Sequence, residues 1–494
     1  MLLFDELREA WRSESREHRI ALLGIAIVAV GLRLRYLRQP MRYDESVTYL
    51  YFVKQRWADA LSLYTYPSNH LFHTLLAKAS VTAFGSSPWA LRLPAFLAGL
   101  LVVAATYAVV RAIYNARAAL FAAAIVASSG VLVLYSTNAR GYSLVILAFL
   151  LLALVAIRLQ RGASSDHWIA FAVIAAFGLW TIPVMLYPLG AISVWIALAF
   201  LIDGKRAELR RLALALGVTA GLTLLAYSPV ISRAGIVAIV GNRFVVSSNW
   251  FDFLEQLPSA VGQALRSWSL GIPPIVSLAL LWLAIVALRH HASISRLRAN
   301  IVVACFVSTA WLLVVNHRAP FPRVFLFLFP VAAALAGAGA VLLSERRPRV
   351  DQFFQRRTPA VAVGFSIAAA ASVALSHGVL LARDTGTYRD AERASLLLRG
   401  VLQPGDRVLV ELPASAPLAY YFDRLGVPST YLSLDERSAK RIVVIVNQGE
   451  GQTLASVAGR SEVRDTTRFA PTKVLATLPA STIIMFQRRD VATK

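Results

Sequence analysis

The chain of 494 residues is 57% hydrophobic and only 16% charged, with a mean hydropathy of +0.60, and a soluble globule could not bury that much apolar surface. Its formal charge of +23 does not imply nucleic acid as a partner, because no basic stripe with interleaved aromatic residues lies outside the apolar runs. Lys and Arg in the loops of a membrane protein, drawn to anionic lipid, account for the charge, and the single cysteine, Cys305, excludes an intramolecular disulfide.

From the beginning of the chain, Met1 to Arg19 is too long and too acidic for an ordinary signal n-region, and Ala21 to Leu34 lacks a small-residue cleavage site. The first apolar helix is therefore expected to stay as an anchor, after a cytoplasmic segment 1–19. Crossing hydrocarbon takes roughly 20 apolar residues per helix. Such runs predict spans near residues 20–37, 93–112, 118–135, 141–158, 168–183, 184–202, 212–232, 269–288, 299–315, 323–343 and 359–381, about eleven in all. The break around Pro183 reads as a tight turn or a kink.

Basic residues cluster in alternate short loops: Lys205, Arg206, Arg210 and Arg211; Arg289, Arg296 and Arg298; Arg346, Arg347, Arg349, Arg356 and Arg357. The positive-inside rule then places the N-terminus in the cytoplasm and the C-terminal domain outside a cell membrane crossed many times. Arg33, Arg35, Arg38 and Arg42 run against that rule and are expected to snorkel to the interface, the alternative being a positive field for an anion. The outer side carries a long loop, residues 38–92, in which Glu45 to Leu61 and Leu71 to Phe84 have the apolar spacing of helices lying in the interface. After the membrane core, residues 20–381, the composition turns soluble. Val408 to Leu412, Arg441 to Val446 and Thr482 to Phe486 read as strands, and Tyr388 to Gly400 and Pro417 to Leu425 as helices, making residues 382–494 a small α/β domain.

Chemistry concentrates in the outer loops. Asp44 and Glu45 follow the first span, where partial desolvation makes a carboxylate a plausible base; the structural alternative is Asp44 as the N-cap of a helix and Glu45 in its first turn. His70 and His73, three apart, could share a helix face beside Asn69 and suit phosphate binding or proton transfer, with metal ligation the lesser alternative because no third ligand is evident. Arg92, Arg140 with Tyr142, and Arg323 fall on the same expected side, and a guanidinium fork suits phosphate, although headgroup contact is the plainer role for each alone. A transporter or flippase would show ionisable residues in mid-span or paired broken helices, in which these spans are poor. A scaffold using the outer domain for partner binding is a third reading.

The order of these motifs resembles the GT-C membrane glycosyltransferases, the branch of protein O-mannosyltransferases and aminoarabinose transferases. The likeness runs through Leu32-Arg33-Leu34-Arg35-Tyr36-Leu37, Tyr43-Asp44-Glu45-Ser46, Asn69-His70-Leu71, the stretch from Phe84 to Pro94, and Ala139-Arg140-Gly141-Tyr142. Pro322-Arg323-Val324-Phe325-Leu326 is similar to the family's arginine-led last core helix. The resemblance implies a polytopic α-helical fold with interfacial helices, a polyprenyl-phosphate sugar as donor, and Asp44 as the carboxylate that deprotonates the acceptor while Glu45 supports the loop. It also implies a lipid, glycan or protein acceptor on the extracytoplasmic face and inversion by direct displacement. Two positions depart from the aminoarabinose branch: Val47 stands where an Arg is expected, and Asn69-His70-Leu71 where a Lys-Pro-Pro-like phosphate contact is expected. Phosphate binding is then expected to shift to His70, Arg140 and Arg323. No cofactor is expected; a divalent ion recruited by an extra carboxylate such as Asp252 or Glu255 is the alternative.

Overall fold

The structure, a computed structural model, describes residues 2–162, 164–241, 249–317, 319–346, 348–432, 439–459, 461, 465 and 468–489. Arg347, named above, lies outside them. In hydrocarbon every backbone N–H and C=O must be satisfied within its own segment, so apolar runs become helices. Among the described residues seven helices are long and apolar enough to cross: Arg16–Leu37, Pro88–Ile113, Tyr142–Gln160, Pro183–Ile202, Arg206–Ala234, Pro322–Glu345 and Gln355–Leu375. Counting Ala116–Ser128 with Gly130–Ser136, bent by 61°, as one broken span makes eight. The other three expected spans are the apolar helices Asp166–Thr181, Pro274–Arg289 and Ile301–Asn316, each of 16 residues. At 1.5 Å per residue they reach about 24 Å, short of the roughly 30 Å of hydrocarbon.

The chain divides into two compact units, each discontinuous in sequence. The first comprises Met1–Leu37, Leu61–Ala77 and Arg92–Leu380, and the second Arg38–Ala60, Lys78–Leu91 and Leu381–Lys494.

In the first unit, helix ends and breaks are met by specific partners. Ser129 adopts extended backbone (φ −68°, ψ 120°) and breaks the pair Ala116–Ser128 and Gly130–Ser136. The break frees the Ala127 carbonyl, which accepts from Arg33 Nη1 at 2.9 Å. Arg33 is fully buried, so the expectation that it snorkels fails: a carbonyl stripped of its helical partner offers it a better site than the interface. Arg35 and Arg38 are exposed. Arg92, also fully buried, donates to the carbonyl of Leu37 at the end of the first long helix (2.8 Å). Near Pro183 the chain does break: Ile182 is extended and a 3-10 turn, Pro183–Met185, leads into Leu186–Ile202.

In the second unit, four strands pair in the order β1-β2-β4-β3, with β1 Asp406–Val410, β2 Arg441–Val446, β3 Phe469–Thr477 and β4 Thr482–Arg488. β1 and β2 are parallel, joined through the helix Ser415–Leu425, and the other pairs are antiparallel. Ile442, Val444, Val446, Val457, Phe469 and Phe486 form the core on one face. β3 was not legible in the sequence because it holds Pro471 and alternates poorly; as an edge strand it tolerates both, with its register shifted between Pro471 and Lys473.

Candidate active site

The Asp-Glu motif lies in the second unit. Its helix, Tyr43–Thr48, begins after Arg42, whose extended backbone (φ −95°, ψ 162°) makes it the N-cap residue, in place of the Asp44 N-cap considered from sequence. Glu45 is fully buried and accepts from the Arg42 backbone N–H at 2.9 Å, satisfying a helix N-terminal donor. Asp44, in the first turn, is only half-buried. Adjacent helical residues cannot face the same way, so one carboxylate turns inward to hold the turn and the other remains accessible. A π-helical turn, Tyr49–Val53, follows directly.

A distant segment fastens this turn. Tyr43 N–H donates to Gly386 O (3.1 Å), Asp44 N–H donates to Thr385 O (3.3 Å), and Arg42 pairs with Thr387 as an antiparallel bridge. Arg42 Nη1 donates to Ala382 O at 2.6 Å. Gly386 has φ +68°, and a Cβ on it would lie 2.7 Å from Tyr43 Cβ, so both its backbone and its packing require glycine.

The histidines and two of the three arginines come together in the first unit, around the turn from Gly130–Ser136 to Tyr142–Gln160. The Gly141 N–H donates to His70 Nδ1 at 2.8 Å, which leaves the His70 proton on Nε2 when the ring is neutral. The His70 ring meets Tyr142 edge-on at 5.4 Å. Tyr142 OH accepts from Arg323 Nε at 3.0 Å, and the Arg140 guanidinium is 5.9 Å from the Tyr142 ring centroid. His70, His73, Arg140 and Tyr142 are buried and Arg323 is half-buried. Burial holds the His70 imidazole well below its ordinary range, helped by the charges of Arg140, His73 and Arg323. Burial and Arg140 push His73 down likewise. Both rings are therefore neutral at pH 7, and the positive field comes from the arginines. Neither His73 nitrogen has a hydrogen-bond partner among the described residues. Asn69 ties the approach: its Nδ2 donates to Leu63 O (2.7 Å) and its Oδ1 accepts from Thr74 Oγ1 (2.7 Å). Such a cluster can bind an anion with two guanidinium groups and neutral imidazole and phenol groups.

Two comparisons bear on this arrangement. Residues 69–232 match the family described as Dolichyl-phosphate-mannose-protein mannosyltransferase. Among solved structures, ArnT from Cupriavidus metallidurans bound to undecaprenyl phosphate superposes with a TM-score of 0.59 at 14% identity, covering 97% of this chain and 99% of that one. The chain has the fold of the GT-C membrane glycosyltransferases. The apo state of the same ArnT gives a TM-score of 0.57 at 14% identity, over 93% of this chain and 97% of that one. A search of curated proteins finds no match.

Two residues that sequence reasoning did not assign stand beside the motifs. Asp384 precedes the residues that bond Tyr43 and Asp44. It is open to solvent on one side, yet the protein crowding its other sides and the negative charge of Asp44 push its carboxyl up to about 6, against the pull of Arg42. Tyr64 feels the charge of Arg140 and packs edge-on to Tyr227 at 6.4 Å, and burial pushes its phenol up to about 12. No sequence signal near either residue marks the pairing, since each partner is remote along the chain. Asp252 lies in the first turn of the helix Trp250–Trp268 and accepts from Asn249 Nδ2 at 2.9 Å. Among the described residues no three His, Cys, Asp or Glu side chains are grouped as metal ligands.

Proposed function

We propose that the chain transfers a sugar from a polyprenyl-phosphate carrier to an acceptor hydroxyl or amine on the extracytoplasmic face, with Asp44 as general base. The observation that carries this reading is the asymmetry of the acidic pair, with Glu45 consumed by the helix turn and Asp44 accessible. The family match and the fold support a glycosyltransferase acting on a lipid-linked sugar.

Asp44 takes the proton from the acceptor as its oxygen or nitrogen attacks the anomeric carbon, and the bond to the phosphate oxygen breaks. Negative charge then grows on the departing lipid phosphate, which Arg140 and Arg323 stabilise, with the His70 Nε2 proton as a neutral donor. A single displacement of this kind inverts the anomeric centre. Glu45 supports the loop, and no divalent ion is assigned a role.

The test is transfer of labelled sugar from a panel of polyprenyl-phosphate sugars into native membrane acceptors, comparing wild type with Asp44→Asn matched for folding. Loss of at least about 100-fold in turnover is expected, the usual scale of a lost general base. Full turnover in Asp44→Asn would refute the base assignment. Turnover surviving His70→Ala, Arg140→Ala and Arg323→Ala combined would refute the phosphate site.

A further inference from the structure

The N-terminal helix, Leu2–Ser13, helps to enclose a void at the end of the bundle away from the Gly141 turn. Two ion pairs fix the helix and the residue after it, Glu6 Oε1 with Arg158 Nε (2.6 Å) and Glu14 Oε1 with Arg111 Nε (2.8 Å), and Ser13 Oγ accepts from Arg111 Nη2 at 2.7 Å. Arg158 lies in the last turn of Tyr142–Gln160, about 24 Å along that helix from Tyr142. The void is a cavity of about 270 Å³, and all of it belongs to the first unit.

Four small side chains leave the space: Ala26 and Ala29 of Arg16–Leu37, Ala104 of Pro88–Ile113 and Ala123 of Ala116–Ser128, with Leu7 and Trp11 of the N-terminal helix completing the wall. Every side chain in the wall is apolar or aromatic. Leu23 lines the cavity and is yet 52% exposed, and Ala26 is exposed as well, so the cavity opens through the outer face of Arg16–Leu37. That helix is apolar and long enough to cross a membrane, so what lies outside the opening is hydrocarbon. Water does not fill an apolar void, and an empty one forfeits the dispersion contacts of its lining. An alkyl chain entering from the bilayer restores them. A cation stands at the same wall. The Arg19 guanidinium is 5.8 Å from the centroid of the Trp11 ring. Its Nε donates to Glu14 O at 3.2 Å, while its two terminal nitrogens bond no protein atom among the described residues. The Glu14 carboxylate is taken by Arg111. A guanidinium with its terminal edge unused suits a phosphate.

We propose that this cavity is a phospholipid site, in which one acyl chain of a glycerophospholipid fills the void beside the N-terminal helix and the lipid's phosphate rests on Arg19. The chain completes packing that the ion pairs of Glu6 and Glu14 leave open. Selection is by chain and phosphate together, so phosphatidylglycerol and phosphatidylcholine both qualify, and a lipid without phosphate does not. The site stands apart from the transfer chemistry and from Asp44.

Purified full-length protein, stripped of lipid in detergent, would be titrated with dioleoylphosphatidylglycerol, dioleoylphosphatidylcholine, dioleoylglycerol and glycerol 3-phosphate, and the bound species counted by native mass spectrometry. Wild type should take up a single tight copy of either phospholipid, on the order of tenfold tighter than dioleoylglycerol, as expected for one charge-assisted contact. Arg19→Gln should lose that preference and leave dioleoylglycerol binding unchanged. Ala26→Phe, a substitution at an exposed position of the wall, should fill the void and abolish the tight copy, with the melting temperature of the lipid-free protein as the check on its fold. Should that variant melt early, Ala104→Leu fills the same void from the facing helix. A tight copy that persists in the folded filling variant would overturn the cavity in favour of annular lipid only. Equal affinity for dioleoylglycerol and the phospholipids, or unchanged phospholipid binding in Arg19→Gln, would overturn the phosphate contact. Displacement of the bound lipid by glycerol 3-phosphate at equal concentration would overturn the part assigned to the acyl chain.

Discussion

Two neighbouring carboxylates, Asp44 and Glu45, reach opposite fates through a single hydrogen bond, the one from Arg42 N–H that draws Glu45 into the turn. The pair was visible in the sequence, as was its position after the first span. Asp384 was invisible, because it meets Asp44 only through a bridge spanning more than three hundred residues of chain. Its carboxyl, at about 6 instead of the ordinary 3.8, keeps its proton more tightly in the folded chain than in the unfolded one. The contribution to stability is therefore full below the unfolded value and is lost as pH rises from about 4 through about 6. Because the side chain is exposed, solvent screening holds the loss below about 1 kcal/mol. Asp384→Asn cannot ionise, so its melting temperature in detergent should pull ahead of wild type between about pH 4 and pH 6 and keep a constant lead above that. A difference that is constant across the whole range would show that Asp384 titrates normally.

At the scale of elements, all eleven apolar runs proved helical, since an apolar run has no other way to satisfy its backbone in lipid. The pattern gave the break at Pro183, where proline marks it, but not the one at Ser129, because that break depends on what waits for the freed carbonyl, and Arg33 waits for Ala127. The turn at Gly141 depends on contact in the same way. A Cβ there would lie 2.4 Å from Thr181 Cγ2 and 3.3 Å from His70 Nδ1, in a buried site where threonine's branched side chain has little freedom to move. Gly141→Ala should destabilise the protein by about 1 to 3 kcal/mol and disturb the bond that orients His70. Thr181→Ser removes the obstructing methyl and keeps the hydroxyl, so adding it to Gly141→Ala should recover much of the loss in melting temperature and in donor binding. Additive effects of the two changes would place the strain elsewhere.

For the whole molecule, composition announced a chain that lives in two solvents, lipid for most of its length and water after about Arg383, and a small α/β sheet does follow there. The units cut across that linear order, because Arg38–Ala60 and Lys78–Leu91 belong with the C-terminal sheet. Periodicity reports which face of a segment is apolar and carries no address for the segment that will cover it. The consequence is that the C-terminal residues do more than cap a finished enzyme. Thr385 and Gly386 hold the backbone of Asp44 and Tyr43, Tyr421 OH accepts from Met41 N–H at 3.4 Å, and Asp423 accepts from Tyr49 OH at 3.0 Å. A chain ending at Leu381 keeps every apolar helix and should still insert, yet its Asp-Glu turn would lack all of these partners. Transfer should fall to background, and amide exchange at Tyr43 and Asp44 should accelerate toward that of an unprotected turn. Retained protection with lost transfer would instead assign the C-terminal residues to acceptor capture alone, because the turn would then be stable without them.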